Sequence, residues 1–230
     1  MIRQYLNDLV NFIYPPDCHL CGNPIAPHEK FICTHCLSQL PRTGYHRQPK
    51  NPMVDRFAGQ FPFQRAAGHF FYSRDSALAQ LIQDMKYRHF PGIGKVLGHL
   101  VGMELYSTGF FDGIDVITPV PMHFLKKARR GYNQTDAIAQ GISEATGIPV
   151  RNLLKMKRMR KTQTALSREQ RLNNALNLFT TTTSESMSGK GILLIDDVCT
   201  TGATLTGAAT SITNKWPDCN LSLLTVAVTF

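Results

Sequence analysis

The sequence of 230 residues contains no apolar run close to the length of about 20 residues that a membrane-spanning helix needs. Its first residues, Met1–Asp8, lack the apolar core of a signal peptide. The sequence also has no internal repeat and no low-complexity segment apart from a polar run at 180–188, which we expect to form a surface turn. These absences exclude membrane insertion and predict a cytoplasmic protein.

Acidic residues are few: 16 Asp and Glu stand against 25 Lys and Arg, which gives a formal net charge of +9. This excess indicates a polyanionic partner, either a phosphorylated small molecule or a nucleic acid. The charge is uneven, because 12 of the Lys and Arg residues lie within 126–130 and 151–171. The length suits one full domain and one small module.

Only six cysteines are present, and four of them form two Cys-x2-Cys pairs: Cys18, Cys21, Cys33 and Cys36. This spacing is typical of a tetrahedral structural zinc site in which each pair forms one knuckle. Disulfides would need an oxidising compartment, and the chain shows no export signal. We therefore expect structural Zn2+ in a ribbon module at 1–45, with the metal supplying most of its folding energy.

The rest of the chain divides into two parts. Prolines and glycines punctuate 46–65, which we interpret as a linker or an irregular hood. Residues 66–230 alternate strands with helices, the order of a parallel sheet with crossovers. The predicted elements are an edge strand at Ala66–Tyr72, a helix capped by Ser73, a helix from Pro91 to Tyr106, a buried strand at 114–121, a basic loop at 122–131, a helix from Asn133 or Thr135 to Thr146, a buried strand at 192–195 and a helix from Leu205 to Lys215.

The segment Ile192–Leu205 is the most informative part of the sequence. Four apolar residues are followed by two adjacent acids and then by a Thr/Gly turn: Asp196, Asp197, Thr200, Thr201, Gly202, Ala203 and Thr204. In α/β sheets ligands bind at the carboxyl ends of the strands. Hydroxyls and free N–H groups at a helix N-terminus suit a phosphate, while carboxylates accept bonds from sugar hydroxyls and help to hold a divalent cation.

These residues predict a ribose-5-phosphate site. An ordinary strand end with an N-capping Thr turn would account for Thr200 or Thr204 alone, but not for paired acids directly before the turn. Cys199 lies inside the motif, and we expect a small buried thiol there, since the sequence places no general base beside it.

The segment resembles the phosphoribosyl-pyrophosphate (PRPP) signature of the type I phosphoribosyltransferases. The resemblance implies an α/β fold with a parallel sheet flanked by helices, and PRPP with Mg2+ as the ligand. It also implies roles for the matching residues. Asp196 and Asp197 would hold the ribose hydroxyls, and Thr200–Thr204 would hold the 5-phosphate.

A second block narrows the resemblance. Pro119-Val120-Pro121, followed by Arg130-Gly131-Tyr132-Asn133-Gln134, is similar to a segment of the ComF family, also called GntX-like, which is found in bacterial DNA uptake. A cysteine module ahead of a PRPP domain is that family's architecture as well. The basic stretch 160–174 resembles a third family block. There Thr162 and Thr164 flank Gln163, so two threonines compete for one family position.

The family resemblance implies roles for both basic stretches. The loop after Val120 would be the pyrophosphate loop, with Arg129 and Arg130 as catalytic donors. The stretch 157–168 would be a flexible loop that closes over the substrates. Its candidate residues are Arg160, Thr162, Gln163 and Arg168. For either stretch the alternative is a run of solvated charge.

The resemblance implies a PRPP-binding, phosphoribosyltransferase-like protein that acts in natural transformation on single-stranded DNA. DNA-uptake proteins such as a helicase would be its partners. If the protein catalyses, the reaction would displace pyrophosphate at C1 of ribose, and the sequence does not identify the acceptor. Two alternatives stay open: a nucleobase-salvage phosphoribosyltransferase with a zinc-stabilised hood, and a non-catalytic PRPP-sensing or DNA-binding protein on the same fold.

Overall fold

The computed structural model describes residues 16–88, 90–157 and 178–229. A 3-10 turn at Tyr45–Arg47 accompanies the helices and strands. Within the described residues, no helix has the length and apolar character needed to cross a membrane. The elements in chain order are α1 (Thr34–Ser38), α2 (Pro52–Phe57), β1 (Arg65–Phe71), α3 (Ala77–Tyr87), α4 (Pro91–Tyr106), β2 (Val116–Pro119), α5 (Phe124–Arg130), α6 (Gln134–Thr146), β3 (Leu154–Met156), β4 (Phe179–Thr181), β5 (Gly191–Cys199), α7 (Ala203–Lys215) and β6 (Asn220–Val228).

A four-stranded parallel sheet in the order β1-β6-β5-β2 forms the centre of the protein. Residues 192–195 of β5 are at most 1% exposed, as expected for a central strand that is covered on both faces. The predicted class, a parallel sheet flanked by helices behind a small N-terminal module, is confirmed. Strand β6 and the antiparallel pair β3-β4 were not predicted. Strand β4 includes the first residues of the polar run at 180–188, which was expected to be a surface turn.

Strand β1 lies at one edge of the sheet, where the sequence analysis predicted an edge strand. Its outer side is covered by the segment at 41–43. The Phe71 N–H donates to the Pro41 carbonyl at 2.8 Å, and the Thr43 N–H donates to the His69 carbonyl at 2.9 Å. These bonds satisfy backbone groups that an open sheet edge would present to other chains.

Helices α4 and α6 pack closely because glycines remove side chains from their contact. A Cβ atom at Gly98 would lie 2.1 Å from the Ile138 carbonyl oxygen, and one at Gly141 would lie 2.1 Å from the Lys95 carbonyl oxygen. Glycine normally weakens a helix, but here it permits a close backbone approach. The predicted helix Pro91–Tyr106 is confirmed with those bounds.

Two helix predictions need correction. The basic segment 122–131 is not a loop, since it contains α5, which begins after His123 and ends at Gly131 with a left-handed φ of 78°. Helix α5 has no buried residue, so it lacks the apolar spacing from which a helix is predicted. Helix α3 is capped by Ser76, whose hydroxyl accepts from the Ala79 N–H at 3.1 Å, and not by Ser73.

The segment 46–65, expected to be irregular, contains α2 and packs into the core. Asn51 caps α2, since its side-chain oxygen accepts from the Met53 N–H at 2.9 Å. Its amide group donates to the Ala66 carbonyl at 3.1 Å and so ties α2 to the start of β1. Met53 and Phe57 are fully buried. A polar cap thus positions a helix that the spacing of apolar residues does not reveal.

Candidate functional site

The carboxyl ends of β5 and β2 lie side by side at one end of the sheet, because the two strands are parallel neighbours. The Val120 N–H, just after β2, donates to the Ile195 carbonyl at 2.9 Å. This bond brings the Pro119–Pro121 segment beside Asp196. The two sequence motifs, the acid pair with its Thr turn and the segment that begins at Pro119, therefore lie together at the carboxyl end of the sheet.

The acid pair lies within β5 and not beyond its end, which corrects the expected strand bounds. The strand continues to Cys199 because β6 extends equally far, with Asp196 opposite Thr225 and Cys199 opposite Val228. Both carboxylates consequently sit on a rigid strand. Their backbone is fixed by the sheet, which is the kind of support that a precise binding site requires.

Asp197 is paired with Lys86, a residue that the sequence analysis missed. The Lys86 Nζ lies 2.7 Å from Asp197 Oδ2, and the Asp197 side chain is 15% exposed. The Val198 N–H donates to Asp197 Oδ1 at 2.7 Å. Lys86 comes from the last turn of α3, where a lysine is ordinarily a surface residue, so nothing in the local sequence marks it.

Asp196, like Asp197, is partly buried. Burial, and then the negative charge of Asp197, raise the pKa of the Asp196 carboxyl to about 8. The Asp197 N–H, which donates to Asp196 Oδ1 at 2.8 Å, and the Lys86 ammonium act in the opposite direction. Two adjacent carboxyl groups with a single lysine nearby favour a ligand that brings positive charge or donor hydroxyls.

The turn after β5 is open to solvent. Thr200, Thr201 and Thr204 are exposed. Gly202 precedes α7 with a φ of 85°, and no side chain caps the helix at that residue. The Ala203 N–H donates to Thr201 Oγ1 at 3.5 Å, and the other N–H groups of the first turn of α7 are suited to an anion, as at other helix N-termini.

Arg56 of α2 holds this turn in place through hydrogen bonds, and the sequence analysis did not identify it either. Its guanidinium donates to the carbonyl oxygens of Thr200 and, at 2.9 Å, of Thr229. A Cβ on Gly202 would lie 2.8 Å from the Phe57 ring, so only glycine fits at that point. The segment 46–65 thus shapes the Thr turn, a role that the turn's own sequence does not show.

Cys199 is a buried thiol, as expected. It is 2% exposed, and its sulfur lies 3.5 Å from Arg56 Nη1. Burial raises the pKa of the thiol, with the nearby guanidinium opposing that change. A thiol with a raised pKa is a poor nucleophile.

The residues after Gly131 hold the segment between β2 and α6 in place. The side chains of Asn133 and Thr135 donate to the Val120 carbonyl at 3.1 and 2.7 Å. The Tyr132 hydroxyl donates to the Met85 carbonyl of α3. This part of the motif therefore has a positioning role, tying the end of β2 to the helix that carries Lys86.

Arg129 and Arg130 lie on α5, beside the end of α3. Arg129 is exposed, and Arg130 donates to the Gln134 side-chain oxygen at 3.2 Å. The Arg130 guanidinium lies 5.0 Å from the centre of the Tyr87 ring, next in sequence to Lys86. The predicted flexible-loop residues Arg160, Thr162, Gln163 and Arg168 lie outside the described residues.

The four N-terminal cysteines converge on one point. Their sulfur atoms all lie within 4.8 Å of one another, and those of Cys21 and Cys33 are 3.9 Å apart. A tetrahedral shell with Zn–S bonds of about 2.3 Å places its sulfurs about 3.8 Å apart. The Cys33 N–H donates to Cys18 Sγ at 3.3 Å, a contact that favours thiolates. The cluster fits zinc.

The cysteine module contacts the helix that carries Lys86. The Gln80 side chain of α3 donates to the His19 carbonyl at 3.0 Å. The His19 ring lies 4.7 Å from that of Phe90, and Phe31 packs where a Cβ on Gly92 would come within 2.1 Å of its ring. The module and the candidate site thus share α3 as a common support.

Comparison with family models identifies the module. The model of the double zinc ribbon domain matches residues 9–47. The predicted zinc ribbon, with its four clustered cysteines, is confirmed.

Solved phosphoribosyltransferase structures resemble the chain at low identity. A crystal structure of adenine phosphoribosyltransferase matches with a TM-score of 0.39 and 15% identity, over 62% of this chain and 73% of that one. The structure of the allosteric regulatory enzyme of purine biosynthesis matches with a TM-score of 0.42 and 19% identity, over 61% of this chain and 29% of that one.

Relatives match most of the chain. DNA utilization protein YhgH of Escherichia coli (strain K12) is 27% identical over 192 residues, 82% of this chain and 74% of the relative. Competence protein F of Haemophilus influenzae is 28% identical over 198 residues, 83% of this chain and 75% of the relative. Competence protein ComFC of Bacillus subtilis (strain 168) is 31% identical over 211 residues, 91% of this chain and 76% of the relative. With that identity over that length, the chain belongs to the ComF family of competence proteins.

Proposed function

We propose that the protein binds PRPP with Mg2+ at the carboxyl end of β5 and acts in natural transformation on single-stranded DNA. The observation that carries the proposal is the acid pair Asp196–Asp197, which stands on an inner strand of the sheet shortly before an exposed Thr turn that opens a helix. The names of its relatives, competence proteins and DNA utilization proteins, support the second part of the proposal.

Each part of PRPP has a counterpart at this edge of the sheet. The 5-phosphate would lie on the turn Thr200–Thr204, where three threonines are exposed and a helix begins. The ribose hydroxyls would donate to Asp196 and Asp197. Bound Mg2+ would offset the negative charge of the pyrophosphate. Arg129 and Arg130 on α5 would hold the pyrophosphate itself.

Lys86 affects how the ribose can bind. Its ammonium occupies one oxygen of Asp197, and a carboxylate has lone pairs left for a sugar hydroxyl. The pair also reduces the negative charge that a phosphorylated ligand would meet at this edge. Lys86 therefore makes a site with two carboxylates compatible with an anionic ligand.

The remaining parts keep the roles that the family resemblance implies. We infer a structural zinc ribbon at 1–45, a hood at 46–65 and a phosphoribosyltransferase-like domain at 66–230. Arg160, Thr162, Gln163 and Arg168 would belong to a loop that closes over PRPP. Single-stranded DNA and uptake proteins such as a helicase would be the macromolecular partners.

Calorimetry with PRPP and Mg2+ tests the binding site. Asp197→Asn removes a charged acceptor and should weaken binding by about 1–3 kcal/mol, or about 5- to 150-fold. Thr201→Val removes a hydroxyl from the phosphate turn and should weaken it by about 1 kcal/mol. Parent affinity in both variants would show that the acid pair and the turn do not bind PRPP.

Matched controls lie at the opposite end of the same sheet. Asp115 accepts from the Gly191 N–H at 2.7 Å and faces Lys190, as Asp197 accepts from an N–H and faces Lys86. Thr183 accepts from the Glu185 N–H at 3.0 Å in an exposed turn. Asp115→Asn and Thr183→Val should therefore keep the parent affinity for PRPP.

A non-catalytic PRPP-binding protein is the second candidate, and the pair between Lys86 and Asp197 favours it. Because Lys86 offsets the charge of Asp197, this carboxylate can still accept a bond from a sugar hydroxyl but stabilises a positively charged transition state less. Pyrophosphate release, measured with PRPP, Mg2+ and a panel of nucleobases, separates the candidates. Turnover with a base would indicate salvage, whereas binding without release would indicate a sensor.

A further inference from the structure

A basic cavity lies between the end of α3 and the surface of α5. Its volume is about 360 Å³, and it is lined by Tyr87, Leu125, Lys126, Arg129 and Arg130. We call it the Tyr87 cavity. It adjoins the candidate PRPP site through α3, because Tyr87 directly follows Lys86, the partner of Asp197.

Tyr87 gives this cavity an aromatic surface that the basic segment alone lacks. The residue is 59% exposed, although it is an aromatic residue at the end of a packed helix. The Arg130 guanidinium lies over the ring, 5.0 Å from its centre. An exposed ring bracketed by a guanidinium is suited to stacking with another flat, polarisable ring.

The cavity combines an exposed apolar side chain with cations. Leu125 is 62% exposed and lines the cavity together with Lys126 and Arg129, whereas Phe124, 48% exposed on the same helix, is not part of the lining. None of the five described residues that line the cavity is acidic. A site for a bare phosphate would need the cations but not the exposed apolar groups, so the composition favours a ligand that is part ring and part phosphate.

We propose that the Tyr87 cavity binds a nucleotide of single-stranded nucleic acid, with the base stacked on Tyr87 and the neighbouring phosphates held by Lys126 and Arg129. The inference rests on the proposed function in naming a nucleic-acid partner, and it assigns that partner a site. A volume of about 360 Å³ accommodates one nucleotide rather than a helix of paired strands. Recognition through a ring face is tolerant of sequence, since every base has one.

Fluorescence anisotropy with a labelled oligothymidylate of about 15 nucleotides tests the cavity in the zinc-loaded full chain. Tyr87→Ala should weaken binding at least fivefold, whereas Tyr87→Phe, which keeps the ring, should match the parent. Neither change removes a charge, so the slope of affinity against salt should stay the same. Arg129→Gln should weaken binding and reduce that slope by about 0.7.

Tyr106→Ala is the matched control. Tyr106 ends α4 as Tyr87 ends α3, and the two are 60% and 59% exposed. It is not among the residues that line the cavity. Equal affinities for Tyr87→Ala and Tyr106→Ala would overturn the proposal. Loss of binding in Tyr87→Phe would overturn it as well, because the ring would then not be the group that matters.

Two further outcomes separate this proposal from the PRPP site. Tyr87→Ala should leave the affinity for PRPP unchanged in calorimetry, while Asp197→Asn should leave the affinity for the oligonucleotide unchanged. If the parent binds no PRPP but Tyr87→Ala still weakens the oligonucleotide, the PRPP proposal fails and the Tyr87 cavity stands. If Arg129→Gln weakens the oligonucleotide and Tyr87→Ala does not, the cavity is an anion site only.

Discussion

Asp196 occupies a position where a carboxyl group is poorly solvated and has a second acid as its neighbour. Burial and the charge of Asp197 raise its pKa from 3.8 to about 8. Between pH 3.8 and about 8, Asp196 therefore keeps its proton in the folded protein, whereas the unfolded chain has already released it. A group of this kind lowers stability as the pH rises through the range, and the loss levels off above the folded-state pKa.

Asp196→Asn should consequently stabilise the fold, and the gain should grow with pH. We expect the free energy of unfolding to rise by on the order of 1–3 kcal/mol near pH 8, with little gain near pH 4. Denaturant unfolding of both proteins across this range measures the difference. The same variant should bind PRPP more weakly, as is common where function requires a strained site.

Asp115→Asn should change the stability of the fold in the opposite direction. The Gly191 N–H lowers the pKa of Asp115, burial opposes this effect, and the nearby Lys190 adds to the lowering. Its ionised form therefore stabilises the fold above the ordinary pKa of an aspartate, and the amide variant should lose stability there. A gain in both variants would mean that the effect at Asp196 is not electrostatic.

At the residue scale, the sequence predicted the positions of groups that are close together in the chain. The acids of β5, the buried Cys199 and the Thr turn all lie within 196–204, and their place near the end of a strand follows from the apolar residues before them. Lys86 and Arg56 reach the same site from α3 and α2. Their contacts are set by packing between distant segments, so no local pattern distinguishes them from surface cations.

At the element scale, α3 links the zinc ribbon to the candidate site. In its first half, the Gln80 side chain donates to the His19 carbonyl, and in its last turn Lys86 forms an ion pair with Asp197. The ribbon also packs Phe31 and His19 against the start of α4, near Phe90. The metal thus stabilises the surroundings of α3 as well as the ribbon itself.

Loss of zinc should therefore have two effects. In Cys33→Ser we expect the described part of the ribbon, 16–40, to unfold while the sheet stays folded, since the metal supplies most of the ribbon's folding energy. We also expect faster hydrogen exchange in α3 and a loss of about 1–2 kcal/mol from the missing ring contacts and hydrogen bond. Exchange mass spectrometry and elemental analysis measure both.

Cys219→Ser is the control for this prediction, because Cys219 lies outside the zinc cluster and is only partly buried. It should retain one zinc per chain and the parent exchange rates in α3. If Cys33→Ser unfolds the ribbon and α3 still exchanges at the parent rate, the ribbon does not support α3. An ordered ribbon without metal would contradict the zinc assignment itself.

The elements that sequence analysis found and missed differ in what stabilises them. Strand β5 and helix α4 bury continuous or periodic apolar residues, and both were predicted. Helix α5 buries none and is defined by its ends, at His123 and Gly131. Helix α2 is short and depends on the Asn51 cap, so its apolar residues do not complete a recognisable period.

At the scale of the whole molecule, α5 brings a cluster of positive charge to the end of the sheet that carries both candidate sites. Helix α5 follows the end of β2 and contributes four of the cations. Helix α7 starts at this edge and runs back to the start of β6, since β5 and β6 are parallel neighbours. Its last residue, Lys215, therefore lies at the opposite edge.

This asymmetry predicts that PRPP and single-stranded DNA compete. Arg129 and Arg130 are candidates for the pyrophosphate and also line the Tyr87 cavity, so one ligand should exclude the other from them. Three or four phosphate contacts give a salt slope of about −2 to −3, hence a loss of affinity of about 20- to 50-fold between about 50 and 200 mM salt. Anisotropy titrations with and without saturating PRPP and Mg2+ measure both effects, and the slope should be shallower with PRPP bound.

Charge reversal tests whether position or total charge matters. Lys127→Glu on α5 and Lys215→Glu at the opposite edge change the net charge of +9 by the same amount. Only Lys127→Glu should markedly weaken DNA binding and flatten the salt slope, since counterions are released where the strand lies. Equal losses in the two variants would indicate a general attraction to a basic protein, and DNA would then have no defined path along this edge of the sheet.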